Sequence, residues 1–354
     1  MRGQWHGAVT SKIRDAGFLA AEILLAWTGF ASELPLVSWE GETMGSIYTV
    51  KIADSNLDPS RQEALKEEVE QRLTEVNRQM SHYQPDSELS RFNRASADEP
   101  FQVSADFACV LRMALDLHHR SDGALDPTLG PVIDLWGFGE TSSPRRAPDE
   151  RQLRQAMARV GLQHLRITTD NRLVKDIPNL QINLSAIAKG FGVDAMAAVL
   201  RARDFTNFYV SISGEVFASG QNSRGTDWQV GISAPVDDWR PGDPMLMVIS
   251  LSGRAVSTSG DYQKYFTDAQ GRRQSHIFDP RTGHPVQHNL GSVTVVADTC
   301  AWADALATTS FVLGPEAGPK WIEAHTDSAA LFVVRHSDGT FGTVPTSRFA
   351  RRAE

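Results

Sequence analysis

The stretch Ile182–Asp194, INLSAIAKGFGVD, constrains this chain more than any other. Ile182 and Leu184 alternate with polar residues, as the end of a strand does. Asn183 and Ser185 are side chains suited to a helix N-cap. Lys189-Gly190 follows at once, and Val193, Ala197, Ala198 and Leu200 then recur at helical spacing. The pattern predicts strand, turn and helix in succession, with a lysine close to the helix start. Free backbone N–H groups and the positive end of the helix dipole suit such a place to an anion. Taken alone, the stretch also reads as an ordinary strand–helix junction with a solvated lysine.

A phosphate-bearing ligand would have to be met by local cations. The 354 residues carry a formal net charge of −8, which argues against a broad basic surface and hence against nucleic acid as a partner. The length allows one large domain or two modest ones. Cys109 and Cys300 are the only cysteines, both in expected helices and without a CxxC pattern. That argues against a disulfide framework or structural zinc, and two buried thiols are expected.

At the N-terminus, Arg2, Lys12 and Arg14 precede the mostly apolar run Ala16–Ala31, broken by Glu22. The arrangement resembles the charged and apolar regions of a signal peptide. Asp15 and Glu22 fit one poorly, the run is short for a membrane span, and no cysteine follows it for lipid attachment. An amphipathic leader helix accounts for the segment as well. Residues 1–37 are read as a leader and 38–350 as one catalytic domain.

Along the chain, Ser38–Ile52 alternates like a first strand. Pro59–Met80 reads as an amphipathic helix with Leu65, Val69, Leu73, Val76 and Met80 on one face. A loop, Ser81–Arg94, carries Tyr83 and starts a short helix at Ser87. Ala105–His119 and Asp149–Val160 are further helices, and Arg166–Lys175 is a hairpin. Phe208–Ala218 alternates as one strand, with Ser213-Gly214 suggesting close backbone approach. Trp228–Ile232, Met245–Leu251, Leu290–Ala297 and Ala329–Val334 are more strands, and Thr299–Leu313 is a helix ending at Gly314. Strands and helices without strict βαβ alternation predict an α+β fold.

Four places suggest chemistry. Asp304 and Thr308 lie one helical turn apart, so a carboxylate and a hydroxyl share a face. Two hard oxygens suit Mg²⁺, although Thr308 bonding back to its own helix explains the pair too. His276, on an expected strand, is either a proton acceptor or a structural histidine. Tyr83 either stacks on a ligand ring or is an ordinary loop tyrosine. Asp126 either accepts a hydrogen bond from a ring N–H or starts a turn. GxGxxG, GxxxxGK[ST] and GxSxG patterns are absent.

Seven blocks in order resemble the ApbE-type flavin transferases, the FAD:protein FMN transferase family. They are GETMGSIY, MSHYQPDSELSRFN, GALDPTLGPVIDLWGFG, INLSAIAKGFGVD, STSGDY, SHIFDPRTGHPV and ADALATTSFVLG, spanning about residues 39 to 345. This resemblance implies a T-fold-like mixed sheet with packed helices, in a single α+β catalytic domain. It implies that FAD is held by Met44, Tyr83, Ala124, Leu125, Asp126, Asn183, Lys189 and Ile277. It places Mg²⁺ on the backbone carbonyl of Ala186 and on Asp304 and Thr308, and it makes His276 the base. Departures fall at Asn183, where aspartate is more usual, and at Ser185 and Ser213, where glycine is commoner.

The activity implied is Mg²⁺-dependent transfer of FMN from FAD to a threonine of a target flavoprotein, such as a redox-complex subunit, with release of AMP. The expected location is the periplasm or the periplasmic face of the inner membrane, with the cytoplasm as the alternative. An FAD pyrophosphatase using the same site, and a non-catalytic FAD-binding or delivery protein, are the other readings.

Overall fold

Two tight hairpins set the register of the sheet that carries the site. A computed structural model describes residues 33–54, 57–139, 145–237 and 245–353; the expected leader lies almost wholly outside the described residues. Strands β1 (Leu36–Thr43) and β2 (Ser46–Ala53) are joined by Met44-Gly45, and β3 (Phe208–Ile212) and β4 (Glu215–Ser219) by Ser213-Gly214. All four turn residues have positive φ: 51° and 69° in the first turn, 53° and 102° in the second. Two-residue loops with this twist match the twist of the strands they join. The expected single strands at Ser38–Ile52 and Phe208–Ala218 are therefore each a hairpin. Alternation continues across a two-residue turn, so the period alone does not reveal the reversal.

The remaining strands of the sheet are β5 (Arg254–Gly260), β6 (Leu290–Ala297), β7 (Ala329–Arg335) and β8 (Phe341–Pro345). Their spatial order is their chain order, in one eight-stranded antiparallel sheet. Long insertions leave this meander and return. The largest, between β2 and β3, holds α1 (Pro59–Met80), α2 (Glu88–Arg94), α3 (Ala105–Arg120), α4 (Gly130–Leu135), α5 (Glu150–Met157) and α6 (Ala188–Ala202). Between β6 and β7 runs α7 (Cys300–His325), and α8 (Ser347–Ala353) follows β8.

Local chemistry starts these helices where the sequence places them. Asp58 caps α1 by accepting from the N–H groups of Ser60 and Arg61, with Pro59 in the first turn. The expected apolar face of α1 is buried in full: Leu65, Val69, Leu73, Val76 and Met80. Ser104 caps α3, and Asp149 and Gln152 form a capping box on α5. At Gly314 (φ 84°) the helix α7 breaks, as the sequence predicts, but it restarts at Pro315 and continues to His325, a segment beyond the expected helix.

One face of the sheet packs against α1, α3, α6 and α7 in the main core, which includes Tyr48, Val210, Phe217, Val295 and Phe332. The other face is covered by the hairpin Trp228–Ser233/Met245–Leu251 and by Phe349 of α8. Strand β6 is buried along its whole length because both its faces are covered. Among the described residues no helix is long and apolar enough to cross a membrane. Cys300 is buried in the main core, but Cys109 is exposed, contrary to expectation, because it lies on the outer side of α3.

Candidate active site

The loops of the first insertion face residues 258–280 across a cleft of about 420 Å³. All twelve residues singled out from the sequence line it: Met44, Tyr83, Ala124, Leu125, Asp126, Asn183, Ala186, Lys189, His276, Ile277, Asp304 and Thr308. Their chain separation is large, so only the fold could bring them together.

The organising stretch differs from its expected form. Ile182–Leu184 is extended but pairs with no strand. The side-chain amide of Asn93 takes the place of one, donating to Ile182 O at 3.0 Å and accepting from Ile182 N–H at 2.8 Å. The buried Lys175 ammonium donates to Leu180 O at 3.2 Å, and Asn183 N–H donates to Pro127 O at 2.7 Å. Asn183 does not cap the helix; its Oδ1 accepts from Ser185 N–H at 2.9 Å and makes a local turn. Helix α6 begins at Ala188 with Ile187 in the cap position and no side-chain cap of its own.

That missing cap is supplied from α7. Asp304 Oδ2 accepts the backbone N–H of Gly190 at 3.1 Å. Gly190 lies in the first turn of α6, where backbone N–H groups have no partner within the helix, so Asp304 supplies one. Among the described residues no backbone N–H bonds to the Ala186 carbonyl. Ala186, two residues before the helix start, lines the same cleft as Asp304 and Thr308. Thr308 Oγ1 is 2.9 Å from Ser259 Oγ.

Sequence reasoning missed Glu215, which is buried at the start of β4 and ion-paired with Lys189. The signal was there: a carboxylate among apolar residues of an interior strand. Burial pushes the Asp304 carboxyl up to about 8, the Glu215 charge adds to this, and Lys189 and the Gly190 N–H pull it back. Glu215 is also raised by burial, against the pull of Lys189. Burial opposes the Lys189 charge, yet Glu215 and Asp304 outweigh it and its pKa is raised. Two buried carboxylates therefore share one lysine, and Glu215 Oε2 has no hydrogen-bond partner among the described residues. A second cation fits this balance. Three or more His, Cys, Asp or Glu side chains grouped for a metal do not occur among the described residues. The oxygen set here is of another kind, one carboxylate with a hydroxyl and a free carbonyl, the hard donors Mg²⁺ takes.

His276 lies one residue past the strand Arg273–Ser275, not on it. Its backbone N–H donates to Lys264 O, and its ring Nδ1 lies 3.1 Å from the same oxygen. A carbonyl only accepts, so Nδ1 carries the proton and Nε2 keeps its lone pair. Burial, then the nearby Lys264, Lys189 and Arg145 charges, lower the His276 pKa to about 4, so the ring is neutral at physiological pH. His82, also on the cleft, is held down to about 4 by burial and Lys264.

The other walls are mixed. Tyr83 is 61% exposed at the rim, its ring 4.0 Å from that of His82. Ala124, Leu125 and Ile277 are buried apolar wall. Asp126 does start a turn: its Oδ1 accepts from Thr128 N–H at 2.7 Å and from Thr128 Oγ1 at 2.6 Å. Met44, in the left-handed turn, lies against Gly192 of α6, where an added Cβ would sit 2.9 Å from Met44 Cε.

Fold and site together define an α+β protein with a cleft of nucleotide size at a helix start, lined by Lys189, Glu215 and Asp304. The ApbE family model matches residues 44–332, and the chain belongs to that family. It is 39% identical over 344 residues to the FAD:protein FMN transferase of Haemophilus influenzae, covering 96% of this chain and 98% of that one. It is 41% identical over 327 residues to the enzyme of the same name from Vibrio cholerae, covering 91% and 93%. The solved flavin transferase ApbE from Vibrio cholerae superposes with a TM-score of 0.81 at 39% identity, over 90% of this chain and 99% of that one.

Proposed function

We propose that this chain is an FAD:protein FMN transferase that moves FMN from FAD onto a threonine hydroxyl of a target flavoprotein, with Mg²⁺. The observation that carries the reading is the Asp304–Gly190 hydrogen bond, which ties Asp304 to the turn whose Ala186 carbonyl takes no backbone hydrogen bond among the described residues and lines the cleft with Thr308. A buried carboxylate, a hydroxyl and an unbonded carbonyl lining one cleft are the hard donors a divalent cation takes.

Ala186 O, Asp304 and Thr308 would hold Mg²⁺, which when bound polarises the pyrophosphate and offsets charge on the departing AMP. Lys189 adds positive potential at the same end of the cleft. Ala124, Leu125 and Ile277 provide the apolar surface, and Tyr83 the exposed ring, on which a flavin can rest. The threonine Oγ attacks the phosphorus on the FMN side, and its proton passes to His276 Nε2. The new O–P bond forms as the bond from that phosphorus to the bridging oxygen breaks, and AMP leaves with that oxygen. The charged and apolar leader supports export to the periplasm as the place where such targets are met.

The test is AMP release and target labelling measured together, with and without a threonine-bearing target. Transfer predicts labelling equal to AMP released. AMP without labelling would make the protein an FAD pyrophosphatase, and neither product would leave a binding protein.

A further inference from the structure

Lys264 lines the cleft on the bend between β5 and the strand Tyr265–Thr267. Its backbone and its side chain point to two roles at once. The carbonyl receives both the N–H and the ring Nδ1–H of His276. The ammonium makes no ion pair among the described residues, and the charges acting on it, Lys189 and Arg145, are both positive. Lys189 is already paired with Glu215, so the charge left without a counter-ion on this wall is that of Lys264, and an anion entering the cleft supplies it.

We propose that Lys264 contacts the phosphate of the bound flavin nucleotide and, through its carbonyl, fixes His276 as the Nε2-basic tautomer, so that one residue couples ligand charge to the base. This rests on the FAD reading and extends it to a residue that the sequence did not single out.

The coupling follows from electrostatics. The charges facing His276 are Lys264, Lys189 and Arg145, with the Phe138 ring 6.4 Å away. Each charge disfavours the imidazolium. A phosphate seated on Lys264 offsets that repulsion, so the ring becomes a better proton acceptor once FAD is in place. Without ligand, the base stays weak.

Lys264→Ala removes the ammonium and leaves the carbonyl, which separates the two roles. The full chain is compared as wild type, Lys264→Ala, Lys264→Gln and Lys264→Arg, with FAD affinity read from flavin fluorescence and the pH profile of kcat/KM from AMP release. Loss of a charge-assisted phosphate contact predicts about ten-fold weaker FAD binding in the Ala and Gln variants and recovery in the Arg variant. The acid limb of kcat/KM, which reports the free enzyme, moves to higher pH in Ala and Gln because a cation beside His276 is gone. Wild type that binds FAD no better than Lys264→Ala, or an acid limb that stays in place, overturns the assignment while the FAD reading stands. Wild type that fails to bind FAD overturns both.

Discussion

Asp194 and Asp304 each cap the helix that carries the other. Asp194, on α6, accepts the N–H groups of Cys300 and Ala301 at the start of α7, both at 2.8 Å. Asp304, on α7, accepts the N–H of Gly190 at the start of α6 at 3.1 Å. Two helix N-termini are thereby pinned to one another, with Ala186, just before the start of α6, lining the same cleft as Asp304.

Asp194→Ala removes two acceptors from the start of α7. The expected cost is about 1–3 kcal/mol of stability, read from chemical denaturation, with Asp194→Asn between the two. Mg²⁺ affinity should fall in the same variants, because the ligand-bearing turn of α7 loses its anchor to α6.

Gly190→Ala should be harmful although alanine favours helices. The added methyl would lie 2.3 Å from the Cys300 carbonyl oxygen and 2.8 Å from Ala301 Cα. Both are backbone atoms, so the helices must separate. A lowered melting temperature is expected, at a cost of about 1–3 kcal/mol, together with loss of Mg²⁺ response. Unchanged melting and Mg²⁺ response would contradict the close approach described here.

These two residues also mark the limit of what the sequence revealed. The apolar face of α1 and the break of α7 at Gly314 were legible, because local pattern decides them. The members of the cleft were legible through the ordered blocks. The two hairpin turns were not, since alternation runs through Met44-Gly45 and Ser213-Gly214 unbroken. Nor was the extended Ile182–Leu184, whose partner is an amide side chain from residue 93. Glu215, Asp194 and Lys264 were passed over because their partners lie 26, 106 and 12 residues away.

Mg²⁺ affinity should depend on pH through Asp304. Its folded-state pKa is raised from 3.8 to about 8. The metal-free folded state therefore binds this proton more tightly than the unfolded chain does. Its contribution favours folding at low pH and is lost as pH rises from about 4 to 8. A cation needs the ionised carboxylate, so Mg²⁺ affinity should rise by up to about ten-fold per pH unit below 8, with proton release. Calorimetric titration at pH 6 and pH 8 checks this; equal affinities would remove Asp304 from the metal site.

His276→Ala should lower kcat by about 10²–10⁴-fold with little change in FAD affinity, as expected for a group that acts on the attacking hydroxyl. Single-turnover AMP release and equilibrium FAD binding separate the two. Full activity in that variant would show that the proton goes elsewhere.

The most direct measurement is the intact mass of a candidate target after incubation with this protein and FAD, with Mg²⁺ or with a chelator. The prediction is a mass increase of FMN less water, located on one threonine, absent with the chelator and restored by added Mg²⁺. An unlabelled target alongside accumulating AMP, or full labelling in the chelator, would contradict the account.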